Sequence, residues 1–297
     1  MLPMPAPGAA QQERSLPPRF ASSTTTVPYV AVRPTAVAAV SWAVVASTWQ
    51  RIRRGEGALL AINFSLIAHG ATDVGRAVLQ ALVSTLAMLA MYAFNDLYDA
   101  PDDWKNPKKD RALIATWIEH RQVGIAATFF VKLAAVALAL ALGPLAAAAV
   151  AAVLIVNVAY STVLKGVPVA DVAVVWLWGA LYAAIVSPST SVLVLVGVMT
   201  GICHLFQVLD DREADAANGI VTTAVCSAAL SRNVLTVFSA LLFLALRSPL
   251  GVVGATTAFT PLVMFFAVGS ASHAWLLTKV YFAVMWLYVL RASGAYL

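Results

Sequence analysis

The sequence predicts an all-α, polytopic membrane protein, a helical bundle with about nine transmembrane helices. Three observations carry that prediction. Of the 297 residues, 61% are hydrophobic and only 11% charged, against about 25% charged in ordinary soluble domains. Mean hydropathy is +0.84, more apolar surface than a soluble globule of this length can bury. The apolar runs are also continuous rather than alternating, which selects spanning helices over a β-barrel. The same numbers exclude disulfide scaffolds, collagen-like chains and disordered proteins. Nucleic acid is not an expected partner despite the net charge of +5. The basic residues are scattered between apolar runs and read as topology determinants.

In chain order, residues 1–30 carry Pro, Gln, Ser and Thr without the apolar stretch of a signal peptide. They are expected to form a disordered tail, leaving 31–297 as one membrane domain. The stretch 35–48 is too short to span and is expected at the interface. Residues 77–94 carry no charge. Residues 133–164 are charge-free for 32 positions, with Gly143-Pro144 near the middle marking a turn between two helices. Residues 172–209 are likewise charge-free and broken at Ser187-Pro188, and 248–278 hold only His273, with a break near Gly269. The expected spans are 57–72, 77–97, 124–142, 144–163, 168–186, 190–209, 220–246, 250–269 and 273–292. Loops on one side then carry eleven Lys and Arg residues against three on the other, which places the first set in the cytoplasm. Cys203 and Cys226 lie in apolar stretches without metal or redox spacing and are expected to be free.

The chemistry concentrates in two windows. Nine of the 14 acidic residues are Asp96, Asp99, Asp102, Asp103 and Asp110, then Asp210, Asp211, Glu213 and Asp215. Like charges this dense at a membrane boundary repel and resist desolvation, so a cation is expected to offset them. Asp96 and Asp99 are spaced i, i+3, and Asp211 and Asp215 i, i+4, so each pair shares a helix face. Pro101 is expected to end the first helix and leave Asp103 on the loop. Two facing carboxylate pairs with the Asn95 carbonyl make an all-oxygen site suited to Mg²⁺, which bridges carboxylates to substrate phosphates. Basic residues stand near this chemistry in sequence: Lys108, Lys109 and Arg111 follow the first window, and Lys165, after Tyr160 at the end of the fourth span, lies between the two windows. Such cations suit a diphosphate leaving group, although Lys108 and Lys109 also read as plain topology anchors. An apolar helix ending in an acidic motif occurs twice, four spans apart, which fits a parallel internal repeat.

The pattern NDxxDxxxD at 95–103, the DxxxD at 211–215 and the Tyr-to-Lys motif between them resemble the UbiA superfamily of intramembrane prenyltransferases. The resemblance covers about residues 31–297. It implies that Asn95, Asp96, Asp99, Asp103, Asp211 and Asp215 hold Mg²⁺ on a prenyl diphosphate, with Asp96, Asp99, Asp211 and Asp215 the catalytic core. Tyr160 and Lys165 match the family's Tyr and Lys, and with Arg111 form the expected diphosphate-binding set. The spacing departs by one residue, YxxxxK here where many members show YxxxK. The Gly219 to Thr223 tail also resembles family members, where a Gly and a Thr follow the second motif.

What the resemblance implies is a bundle around a lipid-accessible central cavity, roofed on the cytoplasmic side by the two acidic loops. The expected partners are membrane lipid, a prenyl diphosphate and a small, aromatic or quinone-like acceptor. A terpene cyclase is the alternative within the family; a cation-coupled transporter is the alternative from another class, although transporters place their ionisable residues mid-membrane. His204 and Gln207 lie one to two turns before the second motif, where they either orient an acceptor or make interhelical hydrogen bonds. Lys132 lies mid-span, as a functional residue or a snorkelling one. Trp176, Trp178 and Tyr182 are candidates to face an allylic cation, or belt and packing residues.

Overall fold

The computed structural model describes residues 34–70, 72–106 and 109–292; the expected 1–30 tail lies outside them. All regular structure among the described residues is helical. Pro34 opens α1 (Pro34–Arg53), where its missing N–H leaves no bond unmade. This helix is longer than the 35–48 segment read from sequence. Its buried face of Val40, Ala43, Val44 and Ser47 packs on the two helices that follow α2. A left-handed Gly55 (φ 72°) turns the chain into α2 (Ala58–Gly70).

Asp73 caps α3 (Val74–Asp103) by accepting from the Gly75 amide at 2.8 Å. Here one expectation needs correction. Pro101 does not end the helix, which continues through Asp103. Pro101 sits in the final turn, where its missing donor costs a single bond, and Trp104 N still closes on Ala100 O at 3.1 Å. Asp103 therefore shares a helix with Asp96 and Asp99. A short helix not anticipated from sequence, α4 (Arg111–Glu119), is capped by Asp110. It buries Leu113, Ile114 and Trp117 against α1 and α3.

The remaining helices are α5 (Arg121–Leu140), α6 (Pro144–Ala159), α7 (Ala170–Ala183) and α8 (Thr190–Asp210), then α9 (Arg212–Ala217) and α10 (Thr223–Cys226). The chain ends with α11 (Ala228–Ala255), α12 (Thr260–Ala267) and α13 (Ala271–Ala292). Gly143 (φ 119°) and Pro144 make the predicted turn between α5 and α6. Small residues let α7 and α8 approach closely: a Cβ on Gly179 would lie 2.3 Å from Thr200 Oγ1, and one on Gly197 2.8 Å from Trp176 Nε1. Cys203 and Cys226 are free.

By length and composition, six helical runs among the described residues suffice to cross a membrane, and α2 and α7 are shorter apolar helices. One of the six is the 40-residue run Ala228–Ala267, interrupted by a non-helical Gly251 (φ 68°). Hydrogen bonds settle how it is folded. Ser272, at the start of α13, donates to Asp210 at the end of α8, and Lys279 Nζ donates to Arg54 O, just before α2, at 2.6 Å. The start of α13 therefore lies beside the ends of α1, α3 and α8, so the run crosses and returns. With α2 and α7, the described residues then contain nine apolar helical segments, the number the apolar pattern predicts.

Candidate active site

Each acidic residue of the first motif has its own basic partner, supplied by a different element. The Arg51 guanidinium, at the end of α1, bonds Asp96 and also Glu56 at 3.0 Å, and lies over the Tyr92 ring. Lys165 Nζ donates to Asp99 Oδ2 at 2.7 Å, and Lys109 pairs with Asp103 at 3.0 Å. Asn95 Oδ1 accepts from Ser161 Oγ at 2.9 Å. Arg111 is not brought to this cluster: it is exposed and its guanidinium stacks on Trp104. Lys108 lies outside the described residues. Arg51, which the sequence presents as one basic residue among several at a boundary, is the arginine brought to this cluster.

The second motif folds as one helical turn, with Asp215 N bonded to Asp211 O at 2.9 Å. Burial pushes the Asp215 carboxyl up to about 6; Lys165 pulls it down, while Asp211 and Asp99 act in the same sense as burial. Burial opposes the Lys165 ammonium, but Asp99 and Tyr160 outweigh it and hold this lysine protonated, above its ordinary value. Lys165 thus pairs with Asp99 of the first motif and acts electrostatically on Asp215 of the second. Asn218 Nδ2, donating to Asp102 O at 3.4 Å, ties the two motifs directly.

A buried clamp fixes that juxtaposition. Asp171, fully buried at the start of α7, accepts from Val172 N at 2.9 Å, from Thr223 N at 2.7 Å and from the Thr223 hydroxyl. Thr223 Oγ1 in turn accepts from Val169 N at 2.7 Å. Val169 carries the one positive φ (70°) among described non-glycine residues, a strained conformation that these bonds hold in place. The loop after Lys165 and the loop after Asp215 are fastened together. Asp171 was not singled out from sequence, though an acidic residue opening an apolar helix was a readable signal.

The extra residue in the Tyr-to-Lys motif has a structural answer. Residues Tyr160–Leu164 form a π-helical turn, closed by Lys165 N donating to Tyr160 O at 3.0 Å, an i to i+5 bond. A wider turn absorbs one residue, so Lys165 reaches Asp99 while Tyr160 faces inward.

Arg51 and Asn95 also line a cavity of about 400 Å³, within the range of small-molecule sites. Its walls are mostly apolar, with Leu59, Ile62, Met199, Phe282 and Trp286 among them. Arg51, Asn95, Tyr160, His204 and Gln207 supply polar groups. Of the three aromatics considered from sequence, Trp178 lines the cavity, whereas Trp176 packs on Gly197 and Tyr182 donates to Ser84 O at 2.8 Å. Lys132 lies over the Phe94 ring, 3.5 Å from its centroid, and is not part of the lining. Glu56 and Lys279 line the cavity too, and neither was picked out from sequence. Asp96 and Asp103 instead border a separate pocket of about 20 Å³ that shares Arg51 with the cavity.

Among the described residues no three acidic, His or Cys side chains converge closely enough to grip an ion unaided; Arg51, Lys109 and Lys165 are instead paired one each with Asp96, Asp103 and Asp99. The donor set nevertheless fits Mg²⁺ in kind: hard oxygens from two motifs, with Asp99 and Asp215 close enough to disfavour each other's charge.

A profile of the UbiA prenyltransferase family matches residues 57–284. No curated relative matches the chain in sequence. Among solved structures, a digeranylgeranylglyceryl phosphate synthase is similar at 13% identity, over 87% of this chain and 98% of that one, with a TM-score of 0.66. A UbiA homolog from Archaeoglobus fulgidus bound to DMAPP and Mg²⁺ is similar at 18% identity, over 87% and 98% of the two chains, with a TM-score of 0.57. The same homolog bound to GPP and Mg²⁺ gives 18%, 83%, 99% and 0.58. At these identities the likeness is one of fold.

Proposed function

Because this chain belongs to the UbiA prenyltransferase family, we propose that it moves the isoprenoid chain of a prenyl diphosphate onto a small aromatic or quinone-like acceptor inside the cavity. The observation that carries this reading is an apolar cavity whose polar lining includes Arg51, Asn95 and Tyr160, with Lys165, bonded to Asp99, closing the turn that Tyr160 opens. Lys165, Lys109 and Arg51 attract the diphosphate, while Asn95, Asp96, Asp99, Asp103, Asp211 and Asp215 would hold Mg²⁺. When bound, the metal supplies positive charge that offsets the charge building on the departing diphosphate. Binding lets Lys165 exchange Asp99 for phosphate oxygen, so the ammonium follows the leaving group. The apolar walls keep water from the allylic cation, and Trp178 and Tyr92, with ring centroids 6.5 Å apart, present π faces to it. His204 and Gln207 orient the acceptor. The eleven-to-three basic count supports a cytoplasmic headgroup site. The same aromatic lining favours a second reading, a cyclase in which the cation is attacked by its own distal double bond. Family membership leaves no support for the transporter reading.

The test is product analysis by mass spectrometry, using membranes supplied with C10 to C20 prenyl diphosphates, Mg²⁺ and a panel of phenols and quinols. A prenylated acceptor, abolished by EDTA, is expected. Efficient formation of a cyclic hydrocarbon or alcohol without added acceptor would overturn transfer in favour of cyclisation.

A further inference from the structure

Alkylating an aromatic ring releases a proton, and the apolar cavity offers few places for it. Glu56 is held by Arg51 at 3.0 Å. Lys279 donates to Arg54 O at 2.6 Å and lies over the Trp275 ring, 3.7 Å from its centroid. Both are committed where they stand. Tyr160 and His204 are different: both line the cavity, the hydroxyl lies 3.4 Å from His204 Nε2, and the rings meet edge to face at 5.5 Å. Gln207, one turn along α8, lines the same cavity. A long hydroxyl-to-imidazole distance is typical of a catalytic bond before substrate tightens it. Buried ionisable groups in a membrane bundle also need a reason to be there.

Resting on the proposed transfer reaction, we infer that Tyr160 and His204 form a proton relay that removes the proton from the newly prenylated acceptor carbon. The steps balance. The C–O bond of the prenyl diphosphate breaks with its electron pair leaving on the diphosphate. Ring electrons of the acceptor form the new C–C bond, and the alkylated carbon is left holding its hydrogen. That C–H pair returns to the ring as the proton passes to Tyr160 Oη, while the Tyr160 proton passes to His204 Nε2. The imidazolium loses the extra proton to water as product leaves. Tyr160 is therefore a catalytic residue rather than a diphosphate ligand.

The experiment compares wild type with Tyr160→Phe and His204→Gln in phospholipid vesicles. Each receives Mg²⁺, farnesyl or geranylgeranyl diphosphate, and hydroquinone, 4-hydroxybenzoate or 1,4-dihydroxynaphthalene in ring-protiated and ring-deuterated form. Diphosphate release in the variants is expected to stay within about threefold of wild type, while prenylated product falls on the order of 100-fold. Prenyl alcohol should replace that product, and a deuterium isotope effect should appear in the variants because loss of the ring proton has become slow. Parallel loss of release and transfer, or unchanged transfer without an isotope effect, would overturn the relay. A wild-type chain that prenylates none of these acceptors overturns the transfer reading itself, and is distinguished by failing before any substitution is made.

Discussion

Asp99 and Lys165 are both largely buried, so removing either charge strands the other. Asp99→Asn is expected to cost on the order of 3 kcal/mol of stability, read as a lower thermal unfolding midpoint in detergent, and to abolish activity. Adding Lys165→Met should restore much of the midpoint without restoring activity, which separates the pair's structural role from its chemical one. Asp96→Ala, Asp211→Ala and Asp215→Ala should each remove nearly all diphosphate release, and combined variants should lose little more. At this scale the carboxylates were legible because acidic residues are scarce in so apolar a chain. Arg51 and Lys279 were not: each sits among other basic or apolar residues, and only the folding of α1 and α13 around the cavity gives them a role. Trp176 and Trp178, two positions apart on one helix, point to different neighbours, and hydropathy alone carries no rotational register to tell them apart.

The π-turn makes an unusual expectation at the level of the helix. Deleting exposed Val163 should let Tyr160–Leu164 relax to an ordinary α-turn with Lys165 still near Asp99. Activity should then survive within about tenfold, whereas deleting Ala151 from the regular part of α6 rotates everything after it and should abolish turnover. A parallel case is the clamp between α7 and α10. Thr223→Ser keeps both hydroxyl bonds and should behave as wild type. Thr223→Val leaves Asp171 and Val169 N without their shared partner, at a cost of about 1–3 kcal/mol, and should raise the Mg²⁺ concentration needed for half-maximal diphosphate release. Helix existence was readable from unbroken apolar runs; helix endings were less so. Pro101 lies where a helix can tolerate it, and α4 is too short and too charged at its flanks to stand out by composition.

For the molecule as a whole, the contacts of Asp96, Lys165, Asp210 and Lys279 gather the ends of six helices on one face. Cysteines introduced at Trp104 and Ser272 should therefore be labelled from the same side of sealed vesicles, and cysteines at Gly143 and Pro188 from the other. Labelling of Ser272→Cys with the second pair would show that Ala228–Ala267 does not cross and return. The cavity itself lies between α2 on one flank and α13 on the other. Here α2 packs on α3 and α7, and α13 on α8, α11 and α12. The two meet through Lys279 with Arg54 O and through Trp286 Nε1 with Ser65 Oγ at 2.9 Å. A seam joined through side chains opens more readily than one held by interlocked backbones. A greasy substrate entering there comes from the plane of the bilayer, so its effective dose is a mole fraction in lipid and not a concentration in water. Doubling the vesicle lipid at fixed total prenyl diphosphate, below saturation, should roughly halve the rate per protein, which ties turnover in a cell to how much isoprenoid its membrane holds per unit area.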